Sequence, residues 1–387
     1  MESSKKNSIS ASILCLGLGW FPKTPGGLER YMYELTQKLA ANQDQIEVCG
    51  VGLPEAEPNM GIKLTNLGSP DAPILQRLWT IRENFRKTRV GNPDAINLHF
   101  ALYSLPILDL LPKKVPITFN FHGPWAFESE QEVAEKRFSI LVKQWLIEKR
   151  TYHRCDRLIV LSKAFGRILH EEYQIPWEKI HVIPGGVDIE RFQPKLSKES
   201  CREKLNWPSD RQILFTSRRL VHRVGVDKLL TALAKIKHNV PDVWLAIGGR
   251  GPIQAELQQQ ATELRLDNHV KFLGFLPDDE LPLAYQAADL TVMPSQSFEG
   301  FGLALVESLA CGTPVLCTPV GGMPEILQPF SPDLITSSIE ASSIAERLEQ
   351  VLLGKVSIPL PQDCRQYAVG NFDWNKIAQD VRQILLA

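Results

Sequence analysis

Phe298-Glu299-Gly300-Phe301-Gly302-Leu303-Ala304-Leu305-Val306-Glu307-Ser308-Leu309-Ala310-Cys311-Gly312-Thr313-Pro314 is the stretch that decides how this chain folds. A glycine-rich loop opens a short, almost wholly apolar helix. Gly312 stands at its expected C-cap and Pro314 beyond it. A helix this apolar is expected to be buried, with strands on either side at Leu290–Met293 and Val315–Cys317. Glu307 is the only charge between Gly300 and Gly312. It lies beyond the first turn, where the helix dipole would help it, and a buried carboxylate is costly unless something donates hydrogen bonds to it. Hydroxyl donors such as a ribose diol would do so. The free amides near Gly302 and Leu303 would meanwhile form an anion site at the same helix's start. The competing reading, a surface glutamate on an amphipathic helix, fits poorly because no other charge shares the face.

Outward from this segment, β-rich apolar runs alternate with helical periodicity, the pattern of parallel sheets covered by helices. In the second half the expected strands are Ile213–Thr216, Val243–Ile247, Val270–Leu273, Leu290–Met293 and Val315–Cys317. In the first half they are Ile13–Leu18, Ile46–Gly52, Ala95–Phe100, Pro116–Phe121 and Arg157–Leu161, with a helix carrying Leu28, Tyr31, Leu35 and Leu39. Periodicity breaks at residues 183–194, IPGGVDIERFQP. The expected organisation is therefore a doubly wound domain over 1–190, a second over 191–371, and a closing helix, Phe372–Leu386, within 372–387. Two such halves about a hinge leave a cleft at the C-terminal ends of both sheets, where ligands bind.

Composition narrows the partners. The chain has 387 residues, 44% hydrophobic and 22% charged, with a formal net charge of -1, which excludes a global electrostatic case for nucleic acid. Its seven cysteines form no CxxC and no zinc spacing, and fit a reducing compartment. The apolar run at the N-terminus is broken by Gly17 and Gly19 and leads into a helix, so it reads as a first strand rather than a signal peptide. No run reaches the length of a membrane span. A cytoplasmic location is expected.

Three further loops follow strands. Pro25-Gly26-Gly27-Leu28-Glu29-Arg30 opens a helix, reading either as an anion-binding turn or as a plain connection. Phe121-His122-Gly123-Pro124 ends an apolar strand; His122 either enters the cleft or is a satisfied structural histidine. Ser217-Arg218-Arg219-Leu220-Val221-His222-Arg223-Val224-Gly225 clusters cations suited to a diphosphate, or is an ordinary solvated basic loop. Asp278-Asp279 reads as a helix-start pair, not a cation site.

Taken in order along the whole chain, the Gly-Gly loop, His-Gly, IPGGVDIERF, RRLVHRVG, IGGRGPIQAEL, the two-glutamate segment and FDWNKIAQ resemble glycosyltransferase family 4, retaining enzymes of the GT-B fold. Glu299 to Glu307 matches that family's E-x7-E signature. The resemblance implies that Gly26 and Gly27 approach a donor diphosphate and that His122 lies against the donor sugar. It implies Arg219 and Arg223 on the phosphates, Glu299 near the sugar hydroxyls and Glu307 on the ribose. Gly274, Phe275 and Leu276 would hold the base, and Gly302 and Leu303 the phosphate. The family commonly has lysine where this chain has Val224, which shifts phosphate charge to the arginines.

The implied reaction is front-face transfer of a hexosyl group from a nucleotide-diphosphate sugar, with a UDP-sugar favoured and GDP-mannose next. It needs no metal or other cofactor, and Glu299, His122 and Arg219 serve as the catalytic set. The acceptor would be a lipid, a lipid-linked saccharide or a polysaccharide precursor. Residues 77–89 and 136–157 interleave cations with apolar side chains and suit peripheral contact with the inner face of an anionic membrane, or simply pack as amphipathic helices. A sugar-nucleotide epimerase of the same fold and a non-catalytic sugar-nucleotide-binding protein remain alternatives. A dehydrogenase does not, since no G-x-G-x-x-G follows either first strand.

Overall fold

The computed structural model describes residues 10–24, 26–55, 61–88, 91–127 and 143–387. Among these, β1 (Ser12–Leu16), β2 (Gln45–Gly50), β3 (Ile62–Asn66), β4 (Ala95–Leu98), β5 (Ile117–Phe121), β6 (Arg157–Val160) and β7 (Ile180–Val182) form one parallel sheet, ordered β3-β2-β1-β4-β5-β6-β7. A second parallel sheet, β10-β9-β8-β11-β12, comprises β8 (Gln212–Ser217), β9 (Val243–Gly248), β10 (Val270–Gly274), β11 (Leu290–Met293) and β12 (Val315–Cys317). Strand order reverses beside β1 and beside β8, which opens a crevice at the C-terminal end of each sheet.

The helices that build the site are α1 (Gly27–Ala41), α2 (Ile74–Lys87), α3 (Lys163–Tyr173), α4 (Leu303–Ala310), α5 (Pro361–Phe372) and α6 (Trp374–Leu386). The strands are apolar because both sheet faces are covered. On β1, Ile13 and Cys15 pack in one core with α1 and α6, while Leu14 and Leu16 pack in another with Ile81 and Phe85 of α2. All seven cysteines are buried and unpaired with one another, and act as small apolar side chains.

Two elements lay outside the sequence reading. β3 and β7 are edge strands whose exposed positions carry Lys63 and Val182, so their apolar signal is thin. The expected closing helix over 372–386 is present but starts two residues later: α5 ends at Phe372, and Asp373 is extended and caps α6 by accepting from Asn375 N at 2.9 Å.

The chain crosses between the halves twice, side by side. Val187 N donates to Phe372 O at 2.7 Å, and Trp374 N to Val187 O at 3.4 Å. α6 then packs against α1, β4 and β5 of the first sheet, and its Arg382 forks onto Asp44 at 2.6 and 2.8 Å. Glycines permit close approach here. A side chain on Gly185 would strike Phe301 and Leu303, one on Gly186 would strike Trp374, and one on Gly300 would strike Phe165. Glu325 of the second half also accepts from Lys163 N and Ala164 N, both at 2.8 Å, capping α3 of the first.

Candidate active site

α4 begins at Gly302, whose φ of +93° lies in the left-handed region that suits glycine, and no side chain caps its first amides. Glu307, within the same short helix, is 6% exposed. Its burial is balanced by the protein itself, which the sequence reading did not foresee. Oε1 pairs with Arg30 Nη1 at 2.9 Å, and Oε2 accepts from the Tyr285 hydroxyl at 3.1 Å. Arg30 comes from α1 in the other half, and its guanidinium lies over the rings of Phe192 at 5.0 Å and Phe21 at 5.6 Å. Burial pulls the Arg30 pKa down, but Glu307, Glu34 and Asp278 more than offset this and the net shift is upward. The crevice between the halves is lined here by Arg30, Tyr31, Asp188, Phe192, Leu303 and Glu307.

The residue next to Arg30 turns the other way. Tyr31 meets His122 edge-on with ring centroids 4.9 Å apart, and Trp374 of α6 at 5.1 Å. His122 is half-buried, and burial depresses its pKa to about 3, so the imidazole is neutral. Behind it, His99 Nδ1 lies 3.1 Å from His122 Nε2, and Asn97 Nδ2 lies 3.0 Å from His99 Nε2.

Glu299 occupies a second cluster. Arg218 donates to its Oε2, and also to Ser295 Oγ at 3.3 Å; Ser295 Oγ donates to the same carboxylate oxygen at 3.2 Å. Both charged side chains are largely buried, at 12% and 13% exposure. Arg218 thus takes the inward position, while Arg219 is exposed. Arg223 Nη1 donates to Phe298 O at 3.4 Å, and Val224 is buried in the second core. Phe298 itself has φ +47°, a left-handed conformation held at a cost, and its ring stacks 6.3 Å from Phe127 of the first half.

The remaining expected residues surround these clusters. A side chain on Gly26 would collide with the Glu29 carboxylate, whereas one on Gly27 would meet nothing within 4 Å, leaving open space there; Pro25 lies outside the described residues. Gly274 has φ +71° and accepts from Gly249 N at 2.6 Å, and Gly249 packs against the Arg218 carbonyl. Leu276 lies against Gly248, and the Phe275 ring is exposed. Residues 30, 31, 97, 99, 218, 285 and 295 were not singled out by their own signals. Asn97 and His99 alternate at the end of β4 as Asn120 and His122 do at the end of β5, which is the pattern that could have disclosed them.

Two family models match consecutive parts of the chain: "Glycosyltransferase Family 4" over residues 25–191 and "Glycosyl transferases group 1" over 197–370. The chain belongs to glycosyltransferase family 4. An uncharacterized glycosyltransferase of Methanocaldococcus jannaschii is 26% identical over 388 residues, covering 93% of this chain and 94% of that protein. The GDP-mannose-dependent alpha-(1-6)-phosphatidylinositol monomannoside mannosyltransferase of Mycolicibacterium smegmatis is 29% identical over 217 residues. That match covers 54% of this glycosyltransferase and 57% of the mycobacterial protein, little more than half of either. Sucrose-phosphate synthase from Thermosynechococcus elongatus superposes with a TM-score of 0.82 at 22% identity, covering 97% and 98% of the two chains. HepE of Anabaena in complex with UDP-glucose superposes with a TM-score of 0.75 at 20% identity, over 97% and 99%. The glycosyltransferase has the GT-B fold. Among its described residues no helix is long and apolar enough to cross a membrane, and no cluster of three or more His, Cys, Asp or Glu has metal-holding geometry.

Proposed function

We propose that this family 4 glycosyltransferase moves a hexosyl group, with retention at C1, from a nucleotide-diphosphate sugar to a hydroxyl of a lipid, a lipid-linked saccharide or a polysaccharide precursor. One observation carries the reading: α4 presents an uncapped N-terminus at Gly302 and the Glu307 carboxylate at the crevice between the two halves. The first suits a diphosphate and the second a ribose diol. A carboxylate offers about four acceptor sites, so Arg30 and Tyr285 leave Glu307 acceptor capacity for ribose hydroxyls.

In this arrangement the diphosphate lies between the amides of Gly302 and Leu303 and the open space at Gly27. Arg218, Arg219 and Arg223 oppose the charge that grows on the leaving phosphate. His122 faces the sugar beside Glu299, and Gly274, Phe275 and Leu276 receive the base. The acceptor hydroxyl attacks C1 from the face the diphosphate leaves, and the leaving oxygen takes its proton. No metal or other cofactor takes part. A UDP-sugar is the first donor to test and GDP-mannose the second, the latter also being named for the mycobacterial relative.

A lipid-bound acceptor is supported by the outer surface of the first half. Leu75 and Trp79 stand one turn apart on α2 at 79% and 66% exposure, and Trp145 and Leu146 are exposed on the same helical layer. The cations there are mostly engaged locally: Arg77 with Tyr103 and the Ala72 carbonyl, Arg82 with Asp109, and Lys149 over the Trp145 ring. The apolar side chains are therefore what this surface offers an anionic bilayer at the inner membrane face. Residues 89 and 136–142 of the two basic stretches lie outside the described residues.

The test is nucleotide release from UDP-, GDP- and ADP-sugars, with and without a lipid extract, against Glu307→Ala. Release from one donor, raised by the extract and abolished in the variant, is expected. Interconversion of donors without an acceptor would point to an epimerase. Tight donor binding with no turnover under any acceptor would point to a non-catalytic protein.

A further inference from the structure

Five polar side chains run in a single file from α1 across the ends of β4 and β5, on the side of the first sheet that α1 and α6 cover. Tyr31, Asn97, His99 and Asn120 are each no more than 1% exposed, and the file ends on half-buried His122. Polar groups this deep must each have their donors and acceptors paired. Their order can be read link by link. The Tyr31 hydroxyl donates to Asn120 Oδ1 at 3.3 Å, and Asn120 Nδ2 donates to Asn97 Oδ1. That leaves Asn97 Nδ2, which can only donate, facing His99 Nε2 at 3.0 Å.

We infer that this file is a one-way hydrogen-bond relay that fixes His122 as its Nδ1–H tautomer, with His99 as the positioning residue. Because His99 Nε2 accepts from Asn97, a neutral His99 carries its proton on Nδ1. It therefore donates to His122 Nε2, 3.1 Å away. His122 Nε2 is thereby an acceptor, and its own proton sits on Nδ1, which no described protein group hydrogen-bonds. The relay's direction is anchored at its far end. Run in reverse, it would make the buried Tyr31 hydroxyl an acceptor and leave its hydrogen unpaired. Rotation is opposed too, since the His99–His122 bond holds the His122 ring nearly coplanar with His99 (centroids 5.4 Å apart, planes at 18°) and Tyr31 meets the His122 ring edge-on. Burial keeps both imidazoles uncharged, with the neighbouring ring adding to the effect on His99.

The consequence for transfer rests on the proposed function. A neutral donor of fixed direction can hold a sugar oxygen without placing a positive charge beside a ring that becomes oxocarbenium-like. An imidazolium there would oppose the reaction. An Nε2–H tautomer would leave Nδ1 with only a lone pair to offer.

The experiment is long-range 1H–15N correlation on the intact protein with 15N-labelled histidine, with His122→Asn for assignment. Expected for the wild type is a protonated Nδ1 and a bare Nε2 on His122, unchanged from pH 5 to 8. A protonated Nε2, or a titration within that range, would overturn the relay. His99→Gln keeps one acceptor for Asn97 and one donor for His122, so it should preserve the tautomer and stay within about threefold of wild-type turnover. His99→Leu should yield a tautomer mixture and raise the donor KM about tenfold, with the acceptor KM unchanged. A folded His99→Leu with the wild-type tautomer would also refute it. If that variant fails to fold, the wild-type and His99→Gln spectra still decide. The tautomer is read without turnover, so a wrong donor or acceptor assignment would leave the NMR result intact and appear only in the kinetics.

Discussion

Arg30 Nη1 and Glu307 Oε1 lie 2.9 Å apart and join α1 of the first half to α4 of the second, across the cleft in which the donor is placed. Their side chains are 15% and 8% exposed, too deep for either charge to stand alone. The pair directs the carboxylate, and at the same time ties the two halves together.

Arg30→Met should therefore cost about 3–5 kcal/mol in urea unfolding, because it strands a buried carboxylate. Adding Glu307→Gln to that variant should recover much of the loss. If the two substitutions prove additive in a double-mutant cycle, the pair is not coupled as described.

Arg218→Ala removes the partner of Glu299, and the expected result is a loss of roughly a hundredfold or more in kcat/KM for the donor. Arg219→Ala, at an exposed position, should lower turnover strongly while circular dichroism and thermal unfolding stay those of the wild type. Wild-type turnover in folded Arg219→Ala would leave Arg218 and Arg223 as the phosphate cations.

Val224 fills a position the family commonly gives to lysine, and here it is core, 2% exposed. Val224→Lys should lower stability by about 3 kcal/mol by burying an unpaired charge, rather than improve donor affinity. A tighter donor KM with unchanged stability would contradict this packing role.

Glu148 is fully buried and accepts from Tyr173 at 2.8 Å, Tyr152 at 3.0 Å and Ala126 N at 3.3 Å, holding the segment that follows His122. Burial raises its pKa to about 7, against the opposing pull of those hydrogen bonds. The folded protein thus binds a proton that the unfolded chain releases near pH 4.5. The stability this gives is full below pH 4.5 and is lost as pH rises through about 7, by up to about 3 kcal/mol. Urea titrations from pH 4.5 to 8 should show this decline in the wild type and a flatter profile in Glu148→Gln. Parallel profiles would remove Glu148 as the cause.

Leu75→Ser with Trp79→Ser should abolish sedimentation with anionic liposomes, while binding by the wild type should weaken only partly at high salt, since most nearby cations are already engaged. Absence of wild-type binding even at low salt would remove the membrane surface from the proposed function.

Much of this molecule is determined locally and is therefore legible along the chain. Gly302 and Gly312 adopt the left-handed conformations that the start and end of α4 require, and all ten anticipated strands are present because burial on both faces demands continuous apolar runs. Edge strands β3 and β7 escaped, since their exposed positions leave a weak pattern, and the start of the closing helix fell two residues later than expected because Asp373 pairs with Val187. Glu307 was legible as a buried charge needing donors. Which donors it has was not, because Tyr285 reaches it from a neighbouring helix of the same half, and Arg30 only once two sheets, two crossings and α6 have set the halves together. The choice of Arg218 over Arg219 as the inward cation, and the file from Tyr31 to His122, belong to the tertiary packing within each half. Periodicity records which side of an element is dry, but the partner of a buried polar atom is selected by distances between segments that the chain keeps far apart.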